Sequence, residues 1–292
     1  MIIVRTNGGL GNQMFQYATG RSLADRHGTD LLLDLSALGL PDGTETPRPF
    51  ELDVFSARYR KAGTTDLQPF LRSGQSRGIR AAQKFFPFIG QRWFAQRGQG
   101  FDARVSQLPD PVYLDGYWQS ERYFKPDEQQ LRNDFKFREP ATGLNAELTA
   151  RMKGVVSVSV HVRRGDYVND ATIGAFHGTC DLPYYQRAVA LVLERAPKAE
   201  FFLFSDDMAW VKENLAITAP VVFVEHNQGP ASFNDMRLMA ACRHHIIANS
   251  SFSWWGAWLN ADPKKVVVAP KQWFRDPAID TKDLVPETWI RI

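Results

Sequence analysis

Six consecutive residues, His161-Val162-Arg163-Arg164-Gly165-Asp166, close a run of alternating valine and serine that begins at Val155. Two guanidiniums leaving the end of a buried strand make a poor core but a good anion clamp. Each presents a planar fork that bonds phosphate oxygens in pairs and does not lose its charge. Gly165 lets the backbone pass close to a ligand, and Asp166 can hold an arginine or bond a hydroxyl. The plainer reading of the same residues is a surface turn with a local ion pair. A second turn, Asn249-Ser250-Ser251-Phe252-Ser253-Trp254-Trp255-Gly256, follows the short run His245 to Ala248 and opens a helical pattern. Its hydroxyls and N–H groups sit at the positive end of a helix dipole, although a serine there is also an ordinary N-cap. Both turns are expected at the carboxyl edge of one parallel sheet, so two anion-suited turns converge.

Three further groups carry chemistry. Asp206 and Asp207 follow the run Phe201 to Ser205. Adjacent carboxylates leaving a strand point apart, so Asp207 is read as the N-cap of a helix from Met208 and not as a metal ligand. Asp235 can accept both the ring N–H and the amino group of guanine, or it is a solvated helix carboxylate. Gly8-Gly9-Leu10-Gly11-Asn12-Gln13 lies between a strand and a helix, with Asp34 ending the next strand. It lacks the third glycine of a dinucleotide fingerprint because Met14 stands there, and Asn12 and Gln13 suit sugar hydroxyls or a β-phosphate better.

The elements that must position these groups read as α/β. Ile2 to Val4, a helix carrying Phe15, Ala18, Leu23 and Ala24, and Leu31 to Asp34 form a βαβ opening, and Val112 to Leu114 adds a strand. The stretch between is irregular. A breaker cluster at Glu139 to Gly143 marks a domain boundary. From Val155 to Ala269 strands and helices alternate at the spacing of a doubly wound parallel sheet.

Composition narrows the class. The chain has 292 residues, 44% of them hydrophobic, with net charge +3, which suits about two globular domains and shows no general nucleic-acid footprint. Cys180 and Cys242 lack zinc-site spacing and fit a reducing compartment. No signal peptide opens the sequence, and no apolar run approaches the ~20 residues that cross a bilayer. Residues 72–104 carry seven basic side chains against Asp102, interleaved with Phe85, Phe86, Phe88, Trp93, Phe94 and Phe101. Such a stretch either contacts anionic lipid peripherally or packs its aromatics inward with solvated arginines.

Gly8-Gly9-Leu10-Gly11-Asn12-Gln13-Met14-Phe15-Gln16-Tyr17, Gly116-Tyr117-Trp118-Gln119-Ser120-Glu121-Arg122-Tyr123-Phe124, His161 to Tyr167, and Asn249 to Trp255 together resemble, in order, the motifs of the α-1,2-fucosyltransferases. The resemblance implies a GT-B architecture of two facing Rossmann-like domains with a cleft between them. Here these would be an acceptor-side domain, 1–145, and a GDP-fucose-binding domain, 146–292, whose last residues pack back on the first. It implies inverting transfer of L-fucose from GDP-β-L-fucose to the 2-hydroxyl of a terminal β-galactoside in a surface glycan or oligosaccharide, without cofactor or obligatory metal.

By the same resemblance Arg163 meets the β-phosphate with Arg164 in support, His161 and Asp235 meet guanine, and Ser250, Ser251 and Phe252 meet the phosphates. Gly11 and Asn12 would approach from the other domain. Arg163 would answer the charge that grows on the leaving group. Asp166, Asp170 and Glu121 are the candidate bases, among which the sequence does not choose, with a water-mediated path beside them. Trp118, Glu121 and Asp170 would line the acceptor side. Eukaryotic members carry an N-terminal membrane anchor that is absent here, so a bacterial enzyme is expected, cytoplasmic or peripheral at the inner membrane face, with a lipid-linked acceptor. Two rivals stand beside it: a nicotinamide-dependent oxidoreductase using Gly9, Gly11 and Asp34, and a noncatalytic glycan-binding module.

Overall fold

The computed structural model describes residues 1–39, 48–75, 78, 81, 93–165, 168 and 171–292, with the backbone alone at 71–75 and 171–173. Contacts divide the chain into two compact units. One takes the described residues up to Lys136 together with Asp280–Leu284, and the other takes Phe137–Ile279 and Val285–Ile292.

In the first unit β1 (Ile2–Arg5), β2 (Leu31–Asp34), β3 (Arg60–Lys61), β4 (Trp93–Ala95) and β5 (Val112–Asp115) form a parallel sheet in the order β3-β2-β1-β5-β4. The apolar residues of β1 and β5 are buried, as expected of strands covered on both faces. Helix α1 (Leu10–His27) is buried nearly all round from Leu10 to Ala24, so its polar side chains are satisfied one by one. Gln13 Nε2 donates to the carbonyls of Gly8 at 2.9 Å and Pro49 at 2.8 Å, and the Tyr17 hydroxyl donates to Asp134 at 2.8 Å. The helix lies close on the sheet at Gly20, where a Cβ would come 2.3 Å from Val4 Cγ2, and it ends at Gly28, whose φ is 60°. Helices α2 (Thr64–Gln75) and α3 (Glu128–Asp134) complete the unit.

The described aromatics of the basic stretch pack into this unit. Trp93 stacks on Tyr113 at 4.2 Å, Phe94 stacks on Trp118, and Phe101 meets Tyr123 at 4.8 Å. Arg77, Arg80, Lys84, Phe85, Phe86, Phe88 and Arg92 lie outside the described residues.

The second unit runs α4 (Gly143–Gly154), β6 (Val156–Val162), α5 (Ala171–His177), α6 (Leu182–Arg195), β7 (Ala199–Ser205), α7 (Met208–Asn214), β8 (Val221–Val224), α8 (Phe233–Ala241), β9 (His244–Ile246), α9 (Ser251–Leu259), β10 (Val267–Ala269) and β11 (Ile290–Arg291). Its six strands are parallel in the order β11-β10-β9-β6-β7-β8. One face of β6 and β7 presents Val158, Val160, Val162, Phe201 and Leu203 to Tyr184, Tyr185 and Val192 of α6. The alternate positions of β6 are Ser157, Ser159 and His161. They are buried yet supplied with partners: Ser157 Oγ donates to the Met152 carbonyl at 2.7 Å, and Ser159 meets His245 Nδ1 at 2.9 Å. Asn260 Nδ2 lies 2.9 Å from the other ring nitrogen of His245. Among the described residues no helix is long and apolar enough to cross a membrane.

From β6 the chain moves through β7 to β8, then returns to the other side of β6 as β9. The carboxyl ends of β6 and β9 therefore flank a topological switch point, the place where doubly wound sheets take ligands.

Candidate functional site

Arg163 and Arg164 leave β6 at that edge, and both are held by the pair of carboxylates leaving β7. Arg163 Nη1 bonds Asp206 Oδ2 at 2.8 Å, with 23% and 26% of the two side chains exposed. The N–H of Arg164 donates to Asp206 Oδ1 at 2.8 Å. Gly165 lies so close that a Cβ would come 2.7 Å from Asp206 Oδ2. Burial alone would raise the Asp206 carboxyl, but the Arg163 guanidinium and the N–H groups of Gly165 and Arg164 hold it below the usual carboxylate range. Arg164 bonds Asp207 through Nε at 3.2 Å and stacks its guanidinium 4.0 Å from the centre of the Trp210 ring. Asp207 also caps α7, accepting from the Trp210 N–H at 3.2 Å. The expected cap is present, and Asp206 proves to be the partner of Arg163. Asp166 and Asp170 lie outside the described residues.

On the other flank of the switch point, Ser250 is the N-cap of α9, its Oγ accepting from the Phe252 N–H at 3.3 Å. The N-cap reading therefore describes the Ser250 side chain, while Ser251 and Phe252 are half-buried in the first turn. Asn249 anchors this turn: its Nδ2 lies within 3.1 Å of the carbonyls of His177, Gly178 and Trp273. The Phe252 ring lies 5.9 Å from the His161 ring. His161 is buried, and among the described residues its Nδ1 has no hydrogen-bond partner. Burial pushes its pKa down to about 4 against the pull of Asp206, so the imidazole is neutral near pH 7 and bonds by one donor and one acceptor.

Asp235 stands in the first turn of α8, which begins after β8 and so at the same edge of the sheet. Asn227 donates to it at 2.8 Å, and the side chains of Asn227 and Asn145 each donate to the other's Oδ1 at 2.9 Å. Burial raises the Asp235 carboxyl to about 7, with Asn227 opposing. The second unit thus brings together, on one sheet edge, His161, Arg163, Arg164, Asp235, Ser250, Ser251 and Phe252. Asp206, Trp210, Asn227 and Asn249 are the members that the sequence reading left unassigned or placed differently.

The other expected site residues belong to the first unit. Gly11 and Asn12 lie buried in the first turn of α1, where Asn12 Oδ1 accepts from Gln119 at 2.8 Å. Trp118, an acceptor-side candidate, is fully buried. Phe94 stacks on it and Tyr123 meets it edge-on at 5.7 Å, so it is a core residue. Glu121 pairs with Lys125 at 3.2 Å. Asp34 is buried, with one oxygen bonded by the Tyr113 hydroxyl at 2.7 Å and the other by the Ser36 N–H at 2.9 Å.

Comparison with known proteins follows the same lines. Residues 68–292 match the family described as glycosyl transferase family 11. The chain is 33% identical to an α-1,2-colitosyltransferase of Escherichia coli, over 100% of this chain and 99% of that one. It is 28% identical to the O-antigen biosynthesis glycosyltransferase WbnK of Escherichia coli, over 98% of each. It is 26% identical to human galactoside α-(1,2)-fucosyltransferase 1, over 88% of this chain and 64% of that one. Among solved structures, a mutant of Arabidopsis thaliana FUT1 in complex with GDP superposes with a TM-score of 0.50 at 13% identity, over 91% of this chain and 69% of that one. That likeness speaks to the fold, which is the GT-B type with two Rossmann-like units.

Proposed function

The chain belongs to glycosyl transferase family 11, and from that premise we propose that it transfers L-fucose from GDP-β-L-fucose, with inversion, to the 2-hydroxyl of a terminal β-galactoside, forming an α-1,2 linkage. The observation that carries the reading is the guanidinium of Arg163, fixed by Asp206 at the switch point of the second unit.

When the bond between the anomeric carbon and the β-phosphate oxygen breaks, negative charge grows on that oxygen. A preorganised guanidinium stabilises it without having to reorient during the reaction. Arg164, fixed by Asp207 and Trp210, serves the same pyrophosphate. Asp235 supports guanine as the base, since an ionised carboxylate accepts from both the ring N–H and the amino group, and the neutral ring of His161 lies at the same sheet edge. In this reading no metal is obligatory, because the arginines supply the positive charge and both carboxylates after β7 are engaged with them. The acceptor proton goes to Asp166, Asp170 or Glu121, or to water.

The identity with an α-1,2-colitosyltransferase supports a second reading, in which the donor carries colitose in place of fucose. The acceptor in our reading is a surface glycan, and a lipid-linked one would give residues 72–104 a use at anionic lipid. Equal, negligible cosedimentation with anionic and neutral liposomes would reject that contact. The core reading is tested by calorimetric titration with GDP and with NAD, followed by competition between GDP-fucose and a colitosyl donor. GDP should bind and NAD should not. Tight NAD binding without GDP binding would overturn the proposal.

A further inference from the structure

The first unit has a switch point of its own. Its chain runs outward from β1 through β2 to β3 and comes back on the other side of β1 as β4 and β5. The carboxyl ends of β1 and β5 therefore flank the place where such a sheet takes a ligand.

The residues there are hydrogen-bonding in type and fixed in position. Arg5 and Asp115 end the two strands and pair at 3.1 Å, with 40% and 24% of their side chains exposed. Asn7 donates through Nδ2 to the Tyr117 hydroxyl oxygen at 3.2 Å. Gln16 sets the orientation of that amide, taking the Asn7 N–H on its Oε1 at 3.1 Å and donating through Nε2 to Asn7 Oδ1. The turn that presents Tyr117 is held by Gln96 Oε1, which accepts from the N–H groups of Tyr117 at 2.8 Å and Trp118 at 2.9 Å. Trp118 has a φ of 55°, a backbone conformation that residues with side chains rarely adopt and that gathers at functional sites. Trp118 Nε1 and Gln96 Nε2, buried behind this turn, have no hydrogen-bond partner among the described residues.

We propose that Asn7, Tyr117 and the Arg5–Asp115 pair form a subsite for the acceptor, a neutral pyranoside bonded through its ring hydroxyls. Each sugar hydroxyl both donates and accepts. An amide, a phenol and an ion pair supply both roles within one small area. The Asp115 carboxylate would repel a phosphate, and an apolar ligand would desolvate the part-exposed Arg5–Asp115 pair and offer it no hydrogen bond in return. The identification of the pyranoside as a β-galactoside rests on the fucosyl-transfer reading.

The test compares Tyr117→Phe, Asn7→Ala and Asp115→Asn with wild type, using lactose as acceptor. Loss of one hydrogen bond should raise the lactose KM about 5- to 10-fold, with more in the Tyr117→Phe/Asp115→Asn double variant and the loss lying in KM more than in kcat. The GDP dissociation constant by calorimetry should stay within about twofold, which also reports an intact fold. An unmoved lactose KM in all three variants overturns the subsite. So does a GDP-fucose KM that moves as far as the lactose KM, since the cluster would then serve the donor or the fold. A wild-type enzyme that binds GDP but transfers to no β-galactoside would overturn the parent reading and, with it, the galactoside assignment here.

Discussion

Replacing Asp206 with Asn keeps the shape of the side chain and an oxygen for the Arg164 N–H, but removes the charge that fixes Arg163. The pair is about three-quarters shielded from solvent at 2.8 Å. It is therefore more than a surface pair contributing ~0 to 1 kcal/mol and less than a fully buried one whose breaking costs ~3 to 5 kcal/mol. A charge-assisted hydrogen bond of ~1.5 to 3 kcal/mol is the fitting scale, and kcat/KM should fall about 10- to 100-fold. GDP affinity should fall less, because removing a negative charge beside an anion site also strengthens its attraction for phosphate. Steady-state transfer and GDP calorimetry on the same preparation measure both. Gly165→Ala, which drives a Cβ against Asp206 Oδ2 at 2.7 Å, should reproduce the defect. It should add little to Asp206→Asn, since both act on one contact. A folded Asp206→Asn enzyme with wild-type kcat/KM would refute the claim that this carboxylate positions Arg163.

Arg163→Ala should cost at least ~2 to 3 kcal/mol of transition-state stabilisation with the fold retained, read from kcat/KM and circular dichroism, and Arg163→Lys should fail substantially because the bidentate fork is lost. GDP affinity should weaken as pH falls from about 8 to about 6, because the Asp235 carboxyl, raised from 3.8 to about 7, takes up a proton there; Asp235→Asn should bind weakly and without that pH dependence in the same titration. The sign for stability is opposite: the folded carboxyl binds its proton more tightly than the unfolded one, so its contribution is greatest in acid and is lost as pH rises through about 7. Transfer should persist in excess chelator, and loss of activity restored by divalent metal would return Asp206 and Asp207 to consideration as ligands.

Strand and helix order in the second unit was legible because the runs Val155 to Val162, Phe201 to Ser205 and Val221 to Val224 are rich in β-branched or aromatic residues and bounded by helical patterns. The role of Asp206 was not, because it depends on strand register. Val162 lies beside Ser205 only once β6 and β7 pair, and that pairing places Asp206 next to Arg163 across 42 intervening residues. The burial of Trp118 was not legible for a related reason. Its neighbours Tyr117 and Gln119 are half-exposed, but the positive φ at Trp118 turns that one ring into the core. Asn12 and Gln13 read from sequence as amides suited to a sugar or a phosphate, whereas in the fold Gln13 bonds the carbonyls of Gly8 and Pro49 and Asn12 accepts from Gln119, partners that only the folded chain brings near. The short strands β3 and β11, two residues each, leave too little pattern to detect.

Incubation of the enzyme with GDP-β-L-fucose and a β-galactoside, followed by NMR assignment of the product linkage, tests the proposed reaction most directly. Fucose joined in α configuration to the 2-hydroxyl of galactose, with one GDP released per bond formed, is the predicted result. A β-linked product, attachment at another hydroxyl, or GDP-fucose left intact under conditions where GDP binds would contradict it.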